Sequence, residues 1–546
     1  MSTNKNLTNL IVFTGVILTI VFTPWINVDA LVVPKVIILV LLSFYLVTKF
    51  RLSEIQKHIN LKVLFLLAFL AILQMSLSMY FSESPIEQQL FGRGGRGLGF
   101  LTYTSLFILM VVVSIYFNQN NLNLLIKGIV TAGVFSSSYS LLQRFNLDPI
   151  DWVSRTNGIF GTLGNPNFQS AFAAVTLILS ISFFNKKNTK INLVSLFIVT
   201  LTCTTIYFCQ STQGYVAVVL GSIIYLVGYF WYKSKNLSLI ATGIGVVSSI
   251  LGVLGMFDKG PFSALLYKYS IESRSEMWRT SISAIRDNPI FGVGIDSFGD
   301  YSSMYKSAVD AQGVNEFTDN SHNYYLEYAV TGGIPLALIH IIIILFTVYA
   351  FLKIFKLQQE FNKSLIAIFA FWVAIQSQSL ISPAAIPLLF WNFVVTGFIV
   401  AYSVNVSNQA TPKVDLNVHT SMKFLSVLSL LFALLITYPY FNADRLQLRS
   451  LNSRDADLAV RSATMYPEST VRYQRIGVEL TKSGLSDPAL IVARAAVQFN
   501  PNAFSSWALL LANEKSTMIE KERALAELIR LDPYNKLLQD IKLDNP

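Results

Sequence analysis

Asp319-Asn-Ser-His-Asn-Tyr-Tyr-Leu-Glu327 passes directly into an apolar run over 324–350, with Ala337-Leu-Ile-His-Ile-Ile-Ile343 at its centre. A bilayer crossing needs about 20 apolar residues, and this run is long enough. Working outward, similar runs recur at 10–23, 29–48, 63–81, 98–117, 124–142, 167–184, 191–209, 214–232, 237–257, 364–382, 384–404 and 424–441. Over all 546 residues, 53% are hydrophobic and 13% charged, against roughly 25% charged in soluble domains. An ordinary soluble enzyme and a disordered chain are both excluded. The fold class is all-α: a polytopic helical membrane protein of about 12–13 spans over residues 1–441, followed by a more polar segment over 442–546. The first run, preceded by Lys5, reads as a retained span rather than a cleaved signal.

The basic residues orient the spans. With the N-terminus inside, the inner loops receive Lys5, Lys49, Arg51, Lys57, Lys62, Lys127, Lys186, Lys187, Lys190, Lys233, Lys235, Lys353, Lys356, Lys363, Lys413 and Lys423, a positive-inside pattern. The outer side receives Arg93, Arg96, Arg144, Arg155, Arg274, Arg279 and Arg286, with Lys259, Lys268 and Lys306. Lysine suffices for topology; arginine offers a planar fork that grips phosphate or carboxylate in two places. Arginines on the wrong side for topology point to an anionic ligand there, and the competing reading is pairing with nearby Asp and Glu. Cys203 and Cys209 share one apolar stretch and form neither a disulfide framework nor a metal pattern. The net charge of +10 belongs mostly to the membrane part and requires no nucleic-acid partner.

Two outer loops are long, about 143–166 and 258–323. The second is expected to fold back on the membrane surface through Phe262, Trp278, Ile282, Ile285, Phe291, Phe298 and Tyr301. Within it, Ser273–Pro289 reads as an amphipathic helix with Arg274, Trp278, Ile282 and Ile285 on one face and Arg279 and Arg286 on an adjacent one. His322, at the water–membrane boundary, is expected to keep a pKa near neutral, which suits a general base. His340, in mid-span, reads as a hydrogen-bonded core residue. His58 and His419 fall in inner loops.

Three further elements face outward. Phe91-Gly-Arg-Gly-Gly-Arg-Gly-Leu-Gly99 sets Arg93 and Arg96 among glycines at the mouth of a span, a plausible phosphate cradle. Phe160-Gly-Thr-Leu-Gly-Asn-Pro-Asn-Phe168 offers Asn165 and Asn167 as helix caps or sugar ligands. Lys35, after Pro34 near the outer end of the second run, is a functional candidate because a cation there is costly; snorkelling or pairing with Asp29 are the alternatives.

The ordered set resembles the O-antigen ligase and polymerase superfamily, which includes bacterial O-linked oligosaccharyltransferases. The set comprises the Gly-Arg mouth, Gly-x-x-Gly-Asn-Pro-Asn, the Arg-x-x-x-Trp helix, Asn-Pro-x-x-Gly-x-Gly and Ser-His-Asn-x-x-Leu-Glu before Gly332-Gly333. It covers about residues 10–405. The resemblance implies an enzyme of the bacterial cytoplasmic (inner) membrane, with N-terminus inside and the large loop and C-terminal segment outside. It would move a glycan from a polyprenyl-diphosphate carrier to an acceptor hydroxyl, the acceptor being a glycan, lipid or protein. It maps the family histidine to His322 and the loop arginine to Arg274 as catalytic, and the Gly-Arg motif to Arg93 and Arg96 as substrate-binding; from the residues themselves Lys35, Asn165, Asn167, Trp278, Arg279 and Asn323 join the expected substrate-binding set in a membrane-lipid setting. It also implies an inverting step without cofactor; no Asp-rich metal motif is evident. Gln213, in Gln210-Ser-Thr-Gln-Gly214, stands where many members carry arginine. A polymerase, a protein O-oligosaccharyltransferase and, in another class, a transporter or flippase are the competing readings. The spans hold few ionisable groups (Lys35, Glu327 and His340), which disfavours transport.

The tail repeats itself. Tyr466-Pro467, Asn500-Pro501 and Asp532-Pro533 lie 34 and 32 residues apart, Tyr473 and Trp507 follow in register, and alanines cluster at 489–496 and 524–526. This resembles tetratricopeptide repeats over roughly 455–540, implying an outer helical module for a protein partner or acceptor.

Overall fold

The computed structural model describes residues 2–152, 158–184, 188–267, 269–310, 318–358, 360–408, 420–453 and 455–541. Arg155, Lys186, Lys187, Lys268, Lys413 and His419, assigned above to one side or the other, lie outside the described residues. Among the described residues the regular structure is helical, with no strand. Each apolar run forms a helix: α1 Ser2–Ile20, α2 Val33–Val47, α3 Ile59–Phe81, α4 Phe100–Tyr116, α5 Leu122–Arg144, α6 Pro166–Ile181, α7 Thr189–Cys209, α8 Thr212–Lys233 and α9 Lys235–Met256. After the outer-loop helix α10, Tyr269–Asp287, come α11 Tyr324–Leu357, α12 Lys363–Ser379, α13 Ile386–Asn408 and α14 Thr420–Ser453. Eight helices among the described residues are long and apolar enough to cross a membrane, and α1, α2, α4 and α6 are shorter apolar helices. The chain is a polytopic helical membrane protein.

Polar side chains start these helices. His58, Asn165, Asn188, Ser211, Ser234, Asn323 and Asn362 each accept a first-turn backbone N–H that has no partner within the helix. His58 is therefore a cap. α13 is the buried centre of the bundle. Small residues let its neighbours close in, as lipid supplies no hydrophobic drive between helices: a side chain on Gly397 would meet the Met110 carbonyl, and one on Gly15 the Phe390 and Trp391 rings. His340 packs against Tyr324 and stacks on Tyr328 at 4.6 Å, and among the described residues neither ring nitrogen is hydrogen-bonded. The expected hydrogen-bonded core histidine is thus a packed but unbonded one.

One break in α11 fixes the outer loop. Gly333 has φ 81°, and a Cβ there would lie 2.0 Å from the Ile290 carbonyl oxygen. The opened helix carbonyls receive the loop: Val293 N–H donates to Val330 O (2.8 Å) and Gly294 N–H to Thr331 O (3.1 Å). Gln74 and Ser78 of α3 donate to Gly332 O and Thr331 O at the same place. The end of α10 is thereby seated on the bundle.

α14 carries the chain from lipid-type to soluble-type sequence without interruption, so the composition change near 442 falls inside a helix. α15 Ala456–Ala463, α16 Thr470–Lys482, α17 Ser486–Phe499, α18 Phe504–Ala512 and α19 Met518–Leu531 follow. Tyr473 packs with Ile476, Ala489, Val492 and Ala496, and Trp507 with Leu510, Ala524, Leu528 and Leu531. The alanines in the second helix of each hairpin allow this close approach. This tail helical unit docks on the bundle. Asn500 Nδ2 donates to Asp300 Oδ2 (2.9 Å) and Thr470 Oγ1 to Gln88 Oε1 (3.0 Å), while Phe91 stacks on Tyr440 of α14.

Candidate functional site

Asp296 organises the Gly-Arg mouth. Its carboxylate accepts the backbone N–H of Arg93 (2.8 Å) and of Leu98 (3.1 Å), closing the glycine-rich loop. Burial raises its pKa to about 6, against the lowering pull of Arg96 and those N–H groups. The loop's two arginines then diverge. Arg93, 5% exposed, turns inward and pairs with Asp300 at 2.5 Å. Arg96 forks onto Asp319 with bonds of 3.0 and 2.7 Å. Burial pushes the Asp319 carboxyl up, but Arg96 outweighs it and holds the pKa down to about 2. Arg279, half exposed at the loop rim, grips Asp310 through Nε (3.3 Å) and a second guanidinium nitrogen.

Arg274 differs. It is 7% exposed, and no carboxylate pairs with it among the described residues. Burial lowers its pKa. Among the described residues its Nε, the Trp278 indole nitrogen and the His322 Nδ1, all buried, find no hydrogen-bond partner. Such orphans are rare in folded proteins and cost about 1–3 kcal/mol each. The buried face of α10 carries Arg274, Ser281 and Ala284, while Ile282 is 49% exposed. The single face expected for Arg274, Trp278, Ile282 and Ile285 is therefore split, because the helix turns its polar arginine toward the protein.

The His322 segment is strung between fixed points. Ser281 Oγ of α10 donates to Ser321 Oγ (3.0 Å), and Ser321 N–H donates to Glu327 (2.7 Å). His322 N–H donates to Asn320 Oδ1 (2.7 Å), with His322 at φ 46°. Its pKa is lowered to about 4, by burial first and then by the Arg96 and Arg274 cations. The expected near-neutral value gives way to a lowered one: partial burial and the nearby Arg96 and Arg274 charges disfavour the imidazolium, although His322 still faces the cavity.

Arg96, Asp319 and His322 line a cavity of about 350 Å³ together with Lys35, Trp152 and Asn165. Arg274 and Trp278, like Arg93, Arg279, Asn167 and Asn323, are not among its lining residues. Lys35 is 2% exposed; its Nζ donates to Thr162 O (2.5 Å), neither snorkelling nor pairing with Asp29. Asp29 instead accepts the Gly95 N–H. Asn165 caps α6 and also faces the cavity, whereas Asn167 accepts from Ser211 Oγ (2.6 Å). Asn323 caps α11 through the N–H groups of Tyr325 and Leu326. Gln213 is buried, accepting from Gln378 (3.1 Å). Sequence reasoning missed Asp296, Asp300 and Trp152. The arginine-pairing alternative pointed toward the two acids, but their partners lie about two hundred residues away, as with Arg93 and Asp300.

Residues 196–341 match the family described as O-Antigen ligase. The matched stretch contains Arg274, Trp278 and His322, and leaves Lys35, the Gly-Arg mouth and the tail outside it. An uncharacterized protein of Haemophilus influenzae (strain ATCC 51907 / DSM 11121 / KW20 / Rd) is 26% identical over 243 residues, covering 42% of this chain and 60% of that protein. The similarity thus spans less than two thirds of that relative. Over residues 196–341 the chain is thus similar to the O-antigen ligase family, within a multi-pass helical protein.

Proposed function

We propose that the protein transfers a glycan from a polyprenyl-diphosphate carrier to an acceptor hydroxyl on the outer side of the membrane. The observation that carries this is the trio of orphaned polar atoms on Arg274, Trp278 and His322. A buried cation without a carboxylate is suited to a diphosphate that brings the missing charge. Arg96, Lys35 and Asn165 complete the donor's surroundings, while Arg93, Arg279, Asn167 and Asn323 hold the scaffold.

In the reaction, the acceptor oxygen forms a bond to the anomeric carbon as the bond from that carbon to the diphosphate oxygen breaks. The electron pair leaves with the diphosphate, and the hydroxyl proton passes to the His322 imidazole. Attack opposite the leaving group inverts the anomeric centre. Charge grows on the leaving oxygen, so preorganised Arg274 and Arg96 stabilise the transition state more than the ground state. The low His322 pKa keeps the imidazole neutral in the free site. Donor binding adds negative charge beside both arginines and raises that pKa, making His322 a stronger base when the acceptor is in place.

The tail helices, read as tetratricopeptide-like, would present the acceptor or a partner protein. The test is transfer from a purified lipid-linked glycan by full-length protein: normal transfer by well-folded His322→Ala would refute the assignment.

A further inference from the structure

Trp152 lies on the 143–166 loop, far in sequence from the arginines, yet it lines the same cavity as Arg96 and His322. It is built in with care. Its single donor, Nε1–H, is shared between Tyr139 OH (2.9 Å) and Asp148 Oδ2 (3.1 Å), and Tyr139 OH itself donates to Asp148 Oδ2 (2.7 Å). Phe22 and Phe160 stand steeply to the indole, at 70° and 88°. No described ring stacks flat on it. Nearby, Asn165 spends its Oδ1 on capping α6, and no described group bonds its Nδ2. Lys35 Nζ has one carbonyl partner for three donor hydrogens. A polar network thus fixes the orientation of an aromatic wall in a cavity that also offers unspent N–H donors.

A ligand that matches such a wall has an apolar face and polar edges, which is the character of a pyranose: C–H groups on one face, hydroxyls around the rim. We propose that Trp152 is the platform for the first sugar of the donor, with Asn165 bonding a rim hydroxyl. This rests on the glycan-transfer reading and deepens it: the arginine end of the cavity takes the diphosphate, and the Trp152 end takes the carbohydrate. Tyr139 and Asp148 are positioning residues, since they act only through the indole.

The test compares two probes on the full-length protein in lipid nanodiscs: polyprenyl diphosphate bearing a single hexose, and the same carrier without sugar. Trp152→Ala is expected to weaken the sugar-bearing carrier about tenfold, the scale of one aromatic contact, and to leave the bare carrier unchanged. Trp152→Phe and Asp148→Asn should fall between wild type and Trp152→Ala. The readout is a ratio of two affinities within one variant, so partial unfolding lowers both alike and leaves the ratio intact. Equal losses for both probes, or no loss for either, would overturn the assignment. The transfer reaction fails separately: if wild type binds the sugar-bearing carrier with this Trp152-dependent preference but transfers nothing, the subsite stands and the proposed chemistry falls.

Discussion

The Gly-Arg mouth and helix α10 both carry arginines at the same end of the helical bundle, yet they solve the burial of a guanidinium in opposite ways. At the mouth each arginine has its own acid: Arg93 with Asp300 and Arg96 with Asp319. Among the described residues the buried Arg274 of α10 has none, and its neighbours Trp278 and His322 lack partners with it. Arg93, buried with Asp300, is part of the scaffold; Arg96 faces the cavity but shares its charge with Asp319; Arg274 is the one whose burial an arriving anion would offset most. On the proposed function, the difference separates arginines whose charge is met within the protein from one left for the ligand's charge.

The largest effects should fall on the orphaned group. Arg274→Met and His322→Ala should each lower transfer by about 10²–10³-fold, the scale of losing one transition-state donor. Because Arg274→Met removes an unpartnered buried cation, its melting temperature should stay level or rise. Rate assays and thermal melts on the same preparations check both halves. Arg93→Met should do the reverse at comparable size. It strands Asp300 and should cost about 3–5 kcal/mol of stability, as breaking a buried pair does. A melt of Arg93→Met matching wild type would erase the contrast between the two regions.

A smaller effect concerns pH. The active base is neutral His322, so kcat/KM should fall only as pH drops toward about 4, where the free site protonates it. Arg96→Gln removes a cation that depresses this pKa, so its acid limb should move to higher pH. A wild-type limb near 6.5, unmoved by the substitution, would contradict the enclosure of His322. At the small end, Arg279→Ala breaks a pair whose arginine side chain is 55% exposed and should change stability by no more than about 1 kcal/mol. Urea melts of that variant set the baseline for the others.

Much of this architecture is legible in the sequence. The apolar runs mark the bundle helices because lipid permits little else, and Asn165 and Asn323 sit where helices start. The run over 324–350 reads as one uninterrupted span, and only the structure shows that α11 opens at Gly333 and that its freed carbonyls anchor residues 293 and 294. The pairing pattern was not legible. Asp300 and Asp319 meet Arg93 and Arg96 across roughly two hundred residues, and nothing local distinguishes Arg274 from Arg93. The His322 pKa was misjudged for the same reason, since it depends on enclosure by distant cations rather than on sequence position. The docking of the tail through Asn500 and Thr470 onto Asp300 and Gln88 likewise leaves no mark in the repeat pattern. It ties the tail to the acid that neutralises Arg93.

The central claim is that the empty partner of Arg274 is the donor's diphosphate. The direct measurement is the affinity of full-length protein for a polyprenyl diphosphate, wild type against Arg274→Met and Arg93→Met, under conditions where all three are folded. The account predicts a loss of at least about tenfold for Arg274→Met, and a much smaller one for folded Arg93→Met. Equal affinity of wild type and Arg274→Met would contradict it.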